Sequence, residues 1–434
     1  MKTERPIRGK VRWADAYLQS TLPLILAQNL TISGGNRSPV INGRDLYQIL
    51  RASDATTSLE ISDLSLINGY STRDGGCLDD ASNVPPTTGS LRITRVVFSG
   101  CHATADALVW GGAIYWPRAG ASLVIDSSRF SDNYVSATQA GGQSAGGAIY
   151  TKSSTSITNT WFEANQTASN GHGGWGGALY LGGAGHASSI SDSTFRDNTA
   201  LPATMPQTSG SGGAVALVCD ACSLAISRSY FRDNAAAWGG AVQTQKFSAG
   251  TADVALTLAN NNFVSNYGVD SGGAVYVAGT ELALRNNTFH ANAAINGAHL
   301  TFGWYANSLL DALGNLFAPT ASGPACSGTA AIVDPGAIAA NLLADANCAQ
   351  LSTASLPNTP LGTITLDETP GQIGVVRFTG SAVIDSISNN ALCEPYDARN
   401  QQRPIDGDGD GIARCDVGAY EHRAPAIFKD GFES

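Results

Sequence analysis

The sequence predicts an all-β solenoid, a parallel β-helix of roughly nine to eleven coils with a loop-rich C-terminal cap. Three observations lead there. Glycine accounts for 49 of the 434 residues, above the usual level of roughly 7%. Charged residues make up only 14%, where roughly a quarter is usual. Two short motifs also recur in phase along most of the chain. Few charges and many glycines exclude a protein built on long amphipathic helices. The length alone suggests about three domains, but stacked repeats share one continuous core and escape that estimate.

The first motif is Phe-x-x-Asn, present as Phe130-Ser-Asp-Asn133, Phe162-Glu-Ala-Asn165, Phe195-Arg-Asp-Asn198, Phe231-Arg-Asp-Asn234, Phe263-Val-Ser-Asn266 and Phe289-His-Ala-Asn292, with Phe98-Ser-Gly-Cys101 as a variant. Five residues before each phenylalanine stands an aliphatic residue: Ile93, Ile125, Ile157, Ile190, Ile226, Leu258 and Leu284. The second motif, Gly-Gly-Ala-aliphatic, begins at Gly111, Gly146, Gly176, Gly212, Gly239 and Gly272, with worn copies at Gly75-Gly76-Cys77 and Asn296-Gly297-Ala298. Phenylalanine spacings of 32, 32, 33, 36, 32 and 26 residues separate short β-prone runs bounded by Gly, Ser, Asn and Asp clusters. Coils stacking at about 4.8 Å convert such repeats into ladders. The phenylalanines and aliphatics are expected inside, the asparagines at a turn that tolerates left-handed backbone, and the glycines at a sharp corner. Segments 134–145 and 199–211 read as variable loops.

Earlier in the chain, Leu30-Thr-Ile32, Val40-Ile41 and Leu59 to Ile67 alternate like half-buried strands and break at Gly34-Gly35, Asn42-Gly43 and Asn68-Gly69. The resulting organisation is a tail or truncated cap over 1–20, β-helix repeats over 21–317, C-terminal coils and cap over 318–421, and a tail over 422–434. The rod measures about 45–50 Å.

Twenty-five Lys+Arg against 35 Asp+Glu leave a net charge of −10, which excludes a binder that tracks nucleic-acid phosphates. No run approaches the ~18 apolar residues of a membrane-spanning helix. Near the N-terminus, Lys2, Arg5, Arg8, Lys10 and Arg12 are not followed by the apolar core of about 7–15 residues of a secretory signal, so a missing native start is expected. Eight cysteines fall into local pairs, Cys77 with Cys101, Cys219 with Cys222, Cys326 with Cys348 and Cys393 with Cys415. That pattern suits disulfides closing short loops in an oxidising compartment. Cys219-Asp-Ala-Cys222 also has the spacing of a redox or zinc half-site, but no second half-site follows it in sequence.

The paired motifs resemble the repeats of chlamydial polymorphic outer-membrane proteins and related right-handed β-helix proteins, of pectin-lyase-like fold, over roughly residues 60–300. Gly314-Asn315-Leu316-Phe317, Ala382-Val383-Ile384-Asp385, Arg403-Pro404 and Cys415-Asp-Val-Gly-Ala-Tyr-Glu421 resemble a choice-of-anchor Q domain. The resemblance implies an exported or surface-displayed protein of a Gram-negative bacterium. No outer-membrane barrel sequence follows the repeats, so self-insertion is not implied. The ending from Ile427 to Ser434 is similar to short endings on exported gammaproteobacterial proteins.

Several residue sets are candidate sites. Asp406, Asp408 and Asp410 alternate with glycine and are followed by Asp416, a hard-oxygen set suited to a structural calcium ion or to a solvated acidic turn. Asp197 and Asp233 share one repeat position, as a glycosidase carboxylate pair would, although turn chemistry also favours aspartate there and Arg196 and Arg232 stand beside them. Tyr115, Tyr150, Tyr180 and Tyr276 follow the inward aliphatic of the glycine motif and so point outward, where aligned rings can stack on sugars or pack on one another. Gly142-Gln-Ser144-Ala-Gly146 matches a nucleophile elbow formally but lacks its strand and helix. Lys152 and Lys246 give no support for a lyase base. The expectation is an adhesin-like or structural binding module for polysaccharide or cell-surface glycans, with a carbohydrate-active enzyme on the same scaffold as the alternative.

Overall fold

The computed structural model describes residues 9–12, 17–19, 23–26, 29–54, 56–81, 88–169, 174–201, 209–248, 250–343, 346–351 and 361–424. The expected sorting ending at 427–434 lies outside them, as does most of the expected N-terminal tail.

One coil shows the construction. Strand Ser122–Asp126 bends at Ser127 and continues as Arg129–Ser131, forming the first face. A turn at Asp132 and Asn133 leads to Tyr134–Ala137 on the second face, and Gln143–Ala145 follows after a short loop. The stretch expected to be a loop over 134–145 is thus largely two short strands, because their edges pair in parallel with neighbouring coils. A glycine corner then opens the third face at Ile149–Thr151. Every ladder between coils is parallel, and the third face runs through 11 strands. The architecture and the approximate number of coils are those the repeats imply.

Registration is close to ideal for the inward residues. Ile93, Ile125, Ile157, Ile190 and Ile226 stack directly on one another and continue to Leu258 and Leu284. The phenylalanines from Phe98 to Phe317 form one buried stack, with ring centroids 4.7–5.0 Å apart and planes within 14° of parallel. That separation is the coil spacing itself. Phe317, part of the segment that resembles the C-terminal domain, is therefore a member of the repeat stack.

The asparagines form a buried amide ladder. From Asn133 through Asn165, Asn198, Asn234 and Asn266 to Asn292, each Nδ2 donates to the next Oδ1 at 2.8–2.9 Å. The same Nδ2 also donates to a phenylalanine carbonyl, as Asn198 does to Phe162 at 2.9 Å. Each Oδ1 additionally accepts the preceding asparagine's backbone N–H, 3.0 Å in the case of Asn165 to Asn198. His299 closes the far end, its Nδ1 3.1 Å from Asn292 and its Nε2 2.6 Å from the Ala318 carbonyl. The left-handed conformation expected of these asparagines belongs instead to the residue before each one, including Asp197 at φ 55° and Asp233 at φ 54°. This frees the asparagine to turn its amide inward.

A second ladder runs along the bend of the first face. Ser128, Thr160, Ser193 and Ser229 accept backbone N–H groups from the preceding coil, and Asn261, Asn287, Asn315 and Asn341 continue the line with amide-to-amide bonds of 2.9–3.1 Å. Its sequence signal is a Ser, Thr or Asn two residues before each phenylalanine from Phe130 to Phe317.

The glycine pair serves two needs, seen at Gly146-Gly147. Gly146 adopts φ +68°, and a Cβ on Gly147 would lie 1.9 Å from the Gly177 carbonyl oxygen of the next coil.

Beyond the last coils, residues 361–424 lie along the flank of the first face. A hairpin of Ile364–Asp367 and Val375–Phe378 supplies the only antiparallel strand pair among the described residues. Val376 N–H donates to Asn262 Oδ1 at 3.2 Å and Ala419 N–H to Thr288 Oγ1 at 2.9 Å, while Val376, Phe378, Val383 and Ile387 bury a second core against Tyr230, Val264 and Leu316. Cys393–Cys415 ties this flank, Cys326–Cys348 the last coil and Cys77–Cys101 an early one.

Replacing Asn198 by Ala leaves several buried groups without partners and is expected to cost roughly 2–4 kcal/mol, at about 1–3 kcal/mol for each orphaned group. Asp197→Asn, next to it but at the surface, is expected to stay within about 0.5 kcal/mol. Urea denaturation of the two variants beside the parent measures both.

Candidate functional site

The flank segment covers only part of the first face. Outward positions on successive coils are Arg129, Trp161, Thr194, Tyr230, Asn262 and Thr288. Tyr230 lies beneath the flank, donating to Glu368 at 2.9 Å, with Gly374 packed on its ring. Trp161, two coils earlier, remains 38% exposed. Where the cover stops, a cleft of about 590 Å³ opens between Asn159, Trp161 and Asp192 on the solenoid and Gln372, Arg399, Gln401 and Tyr420 on the flank.

Its walls are held in place. Arg399 donates to Asp367 Oδ2 at 2.7 Å and to the Ile373 carbonyl at 3.0 Å, and this guanidinium keeps the Asp367 carboxyl well below the usual range. The Arg377 guanidinium sits 4.9 Å from the Tyr420 ring centre, and His422 stands edge-on to the same ring at 5.0 Å. Asp192 is clamped by two 2.8 Å bonds from Arg228. At the base, Glu421 is buried 3.3 Å from Arg403, and burial pushes its carboxyl up to about 8. Two aromatic side chains among fixed amides and guanidinium groups can receive a flat ligand rich in hydroxyls.

The expected tyrosine row points away from the solenoid interior, but Trp110, at the end of strand Leu108–Trp110, and Trp175 cover it. Tyr115, Tyr150 and Tyr180 stack at 5.4 and 4.8 Å, with Trp110 5.4 Å from Tyr150 and Trp175 packed on the same cluster. Tyr150 and Tyr180 are each 8% exposed. Tyr276 is separated from them by Ala216 and Gln243 and is buried against Trp304. A continuous exposed strip is therefore replaced by a packed cluster, since Trp110 and Trp175 bury more apolar area by packing on the rings. At one end of the cluster, burial raises the carboxyls of Asp74 to about 6 and Asp79 to about 7, with Arg51 3.6 Å from Asp79. Sequence reasoning missed both, although they flank the worn Gly75-Gly76 copy, because Asp79 stands in register with Tyr115 where the other motifs drew attention to tyrosines.

Asp197 and Asp233 stand in turns, each ion-paired to its own neighbour, Arg196 at 3.1 Å and Arg232 at 2.8 Å. Arg232 also pairs with Glu368. The structure thus gives both aspartates a structural setting. Ser144 is fully buried and donates to the Ala168 carbonyl at 2.9 Å, which removes it as a nucleophile. Lys246 is tied to Asp253 at 2.6 Å.

Of the four expected calcium ligands, Asp406 and Asp408 converge, but with Asp385 in place of Asp410 and Asp416. Asp410 bonds Arg414 at 3.1 Å, and the buried Asp416 accepts the Asp385 N–H at 2.8 Å and pairs with His422 Nδ1 at 2.6 Å. The chain reversal after Asp410 carries Asp416 inward. Of the four expected disulfides, the Cys219–Cys222 bond is absent and both are buried free thiols. His186 on the preceding coil stands beside them.

Burial holds the Asp79 proton more tightly in the folded protein than in the unfolded chain, where the ordinary value is 3.8. Its stabilising contribution is complete below pH 3.8 and disappears as pH rises through about 7. Asp79→Asn is expected to lose less stability than the parent between pH 5 and 8, as read from urea midpoints at both values.

No curated protein and no solved structure matches the chain. The family model described as a right handed beta helix region matches residues 86–303, half of the sequence and the part that carries the phenylalanine stack from Phe98 to Phe289 and the glycine corners from Gly111 to Gly272. The protein belongs to the right-handed β-helix family.

Proposed function

We propose that this protein is an exported binding solenoid for polysaccharides or cell-surface glycans, acting as an adhesin-like module without catalysis. The observation that carries the reading is the cleft between Trp161 and the flank residues Arg399, Gln401 and Tyr420. Sugars present apolar C–H faces edged by hydroxyls, and an exposed indole beside fixed amide and guanidinium groups suits both. Three disulfides support an oxidising compartment. The resemblance to polymorphic outer-membrane repeats and to a choice-of-anchor Q domain adds display at a Gram-negative surface to the proposal. A structural calcium ion at Asp385, Asp406 and Asp408 belongs to it as well.

A second reading, a carbohydrate-active enzyme on the same scaffold, draws on Asp74 and Asp79. Their raised carboxyls beside an aromatic cluster have the character of general acids.

A glycan array followed by calorimetry with the best ligand is expected to show binding without turnover, weakened about tenfold or more by Trp161→Ala. Depolymerisation that Asp79→Asn abolishes would replace the first reading with the second. Calcium is expected to raise the melting temperature relative to chelator, and Asp406→Asn to remove that increment.

A further inference from the structure

The corner between the third and first faces is turned by Cys219-Asp-Ala-Cys222. Cys219 belongs to strand Val215–Asp220, Ala221 takes φ 56°, and Cys222 leads into Ser223–Ser227. Both sulfurs are buried, with the cysteines 0% and 2% exposed. Register places His186 one coil below Cys222, because Ala187 pairs with Ser223 and Ser223 N–H donates to the His186 carbonyl at 3.0 Å. The two sulfurs and one ring nitrogen of His186 lie within 4.8 Å of one another.

The hydrogen bonds of His186 fix its tautomer. Nε2 is 2.9 Å from the Gly182 carbonyl, which only accepts, so Nε2 carries the proton. Nδ1 is therefore unprotonated and accepts from the Ser188 hydroxyl at 3.2 Å, a donor that can rotate away to release the lone pair. A backbone carbonyl holding one ring N–H while the other nitrogen stays unprotonated is how proteins orient a metal-ligating histidine. Three other cysteine pairs are bonded and this one is not. Beside His186, Gly185 borders open space, since a Cβ on it would meet nothing within 4 Å.

We propose that His186, Cys219 and Cys222 form a binding site for a thiophilic closed-shell cation, Zn²⁺ or Cu⁺. Two sulfurs and an imidazole are soft to intermediate donors that select such ions over the oxygen-seeking calcium of the acidic loop. Binding transfers the two thiol protons to solvent as the metal–sulfur bonds form, with no change of oxidation state. The bound ion links two consecutive coils through their corner, where the other ladders use amides and hydroxyls.

The full-length protein with its three disulfides intact provides the test. Alkylation under denaturing conditions without reductant, read by mass spectrometry, is expected to label Cys219 and Cys222 alone. Recovery of a Cys219–Cys222 disulfide would overturn the proposal. Titration with Co²⁺ as the zinc probe is expected to give a sulfur-to-metal charge-transfer band saturating at one ion per chain, and competition with a Cu⁺-selective chelator distinguishes the two cations. The band is expected to vanish in Cys222→Ser, and in His186→Gln the affinity is expected to fall at least about tenfold. Far-ultraviolet circular dichroism confirms that each variant is folded, and Cys222→Ala serves if the serine variant is not. Absence of the band in the parent, or its persistence in a folded cysteine variant, would refute the site.

Discussion

Each coil lies directly on the one before, and the buried amides at two corners enforce that register. An asparagine Oδ1 in this position accepts two N–H groups from the preceding coil, while its own Nδ2 reaches the next coil and a carbonyl. Sliding one coil by a single residue would orphan all of these groups in an interior without water, a cost far above the gain from any one apolar contact. Once the amides are in line, the phenylalanines must stack at the coil spacing and the glycine corners must approach to the limit that the lack of a Cβ permits.

The same register organises the exterior. Ion pairs on the rim join neighbouring coils, as in Arg95 with Asp63 and Arg228 with Asp192. The flank segment reads the outward rows of the first face, using Asn262, Thr288 and Tyr230 as anchors. It buries a second core there, and the cleft beside Trp161 exists because this cover ends before that coil. The cleft is thus a boundary between a regular ladder and an irregular layer.

Legibility in the sequence followed periodicity. Phenylalanines, aliphatics and paired glycines keep one identity from coil to coil, so their ladders are visible as letters. The second corner ladder changes from Ser and Thr to Asn at residue 261, and its chemistry is constant while its letters are not. Tyr150 and Tyr180 were readable as outward, but Trp110 and Trp175, which pack on them, stand directly before their glycine pairs at a position that Ala145 and Ser211 fill on other coils, so no constant letter marks the cover. The acidic loop was readable as a hard-ligand set, yet its third member in space is Asp385, which no local spacing connects to it. His186 escaped for a related reason, since a half-site completed by the previous coil shows no second motif downstream.

By itself the sequence determined the coil: which residues face inward, where the corners fall and that neighbouring periods stack. These follow from hydrophobic and turn chemistry repeated at a near-constant interval, which a single chain displays in one dimension. Only the tertiary structure decided what lies against the outside of the coils, which cysteines bond and which acidic groups meet. Those outcomes depend on contacts between segments with no common period, such as Tyr230 with Glu368, 138 residues apart. Their partners are selected by the three-dimensional packing of the flank and the loops, so the cleft and the thiol–imidazole cluster become visible only when the solenoid is assembled.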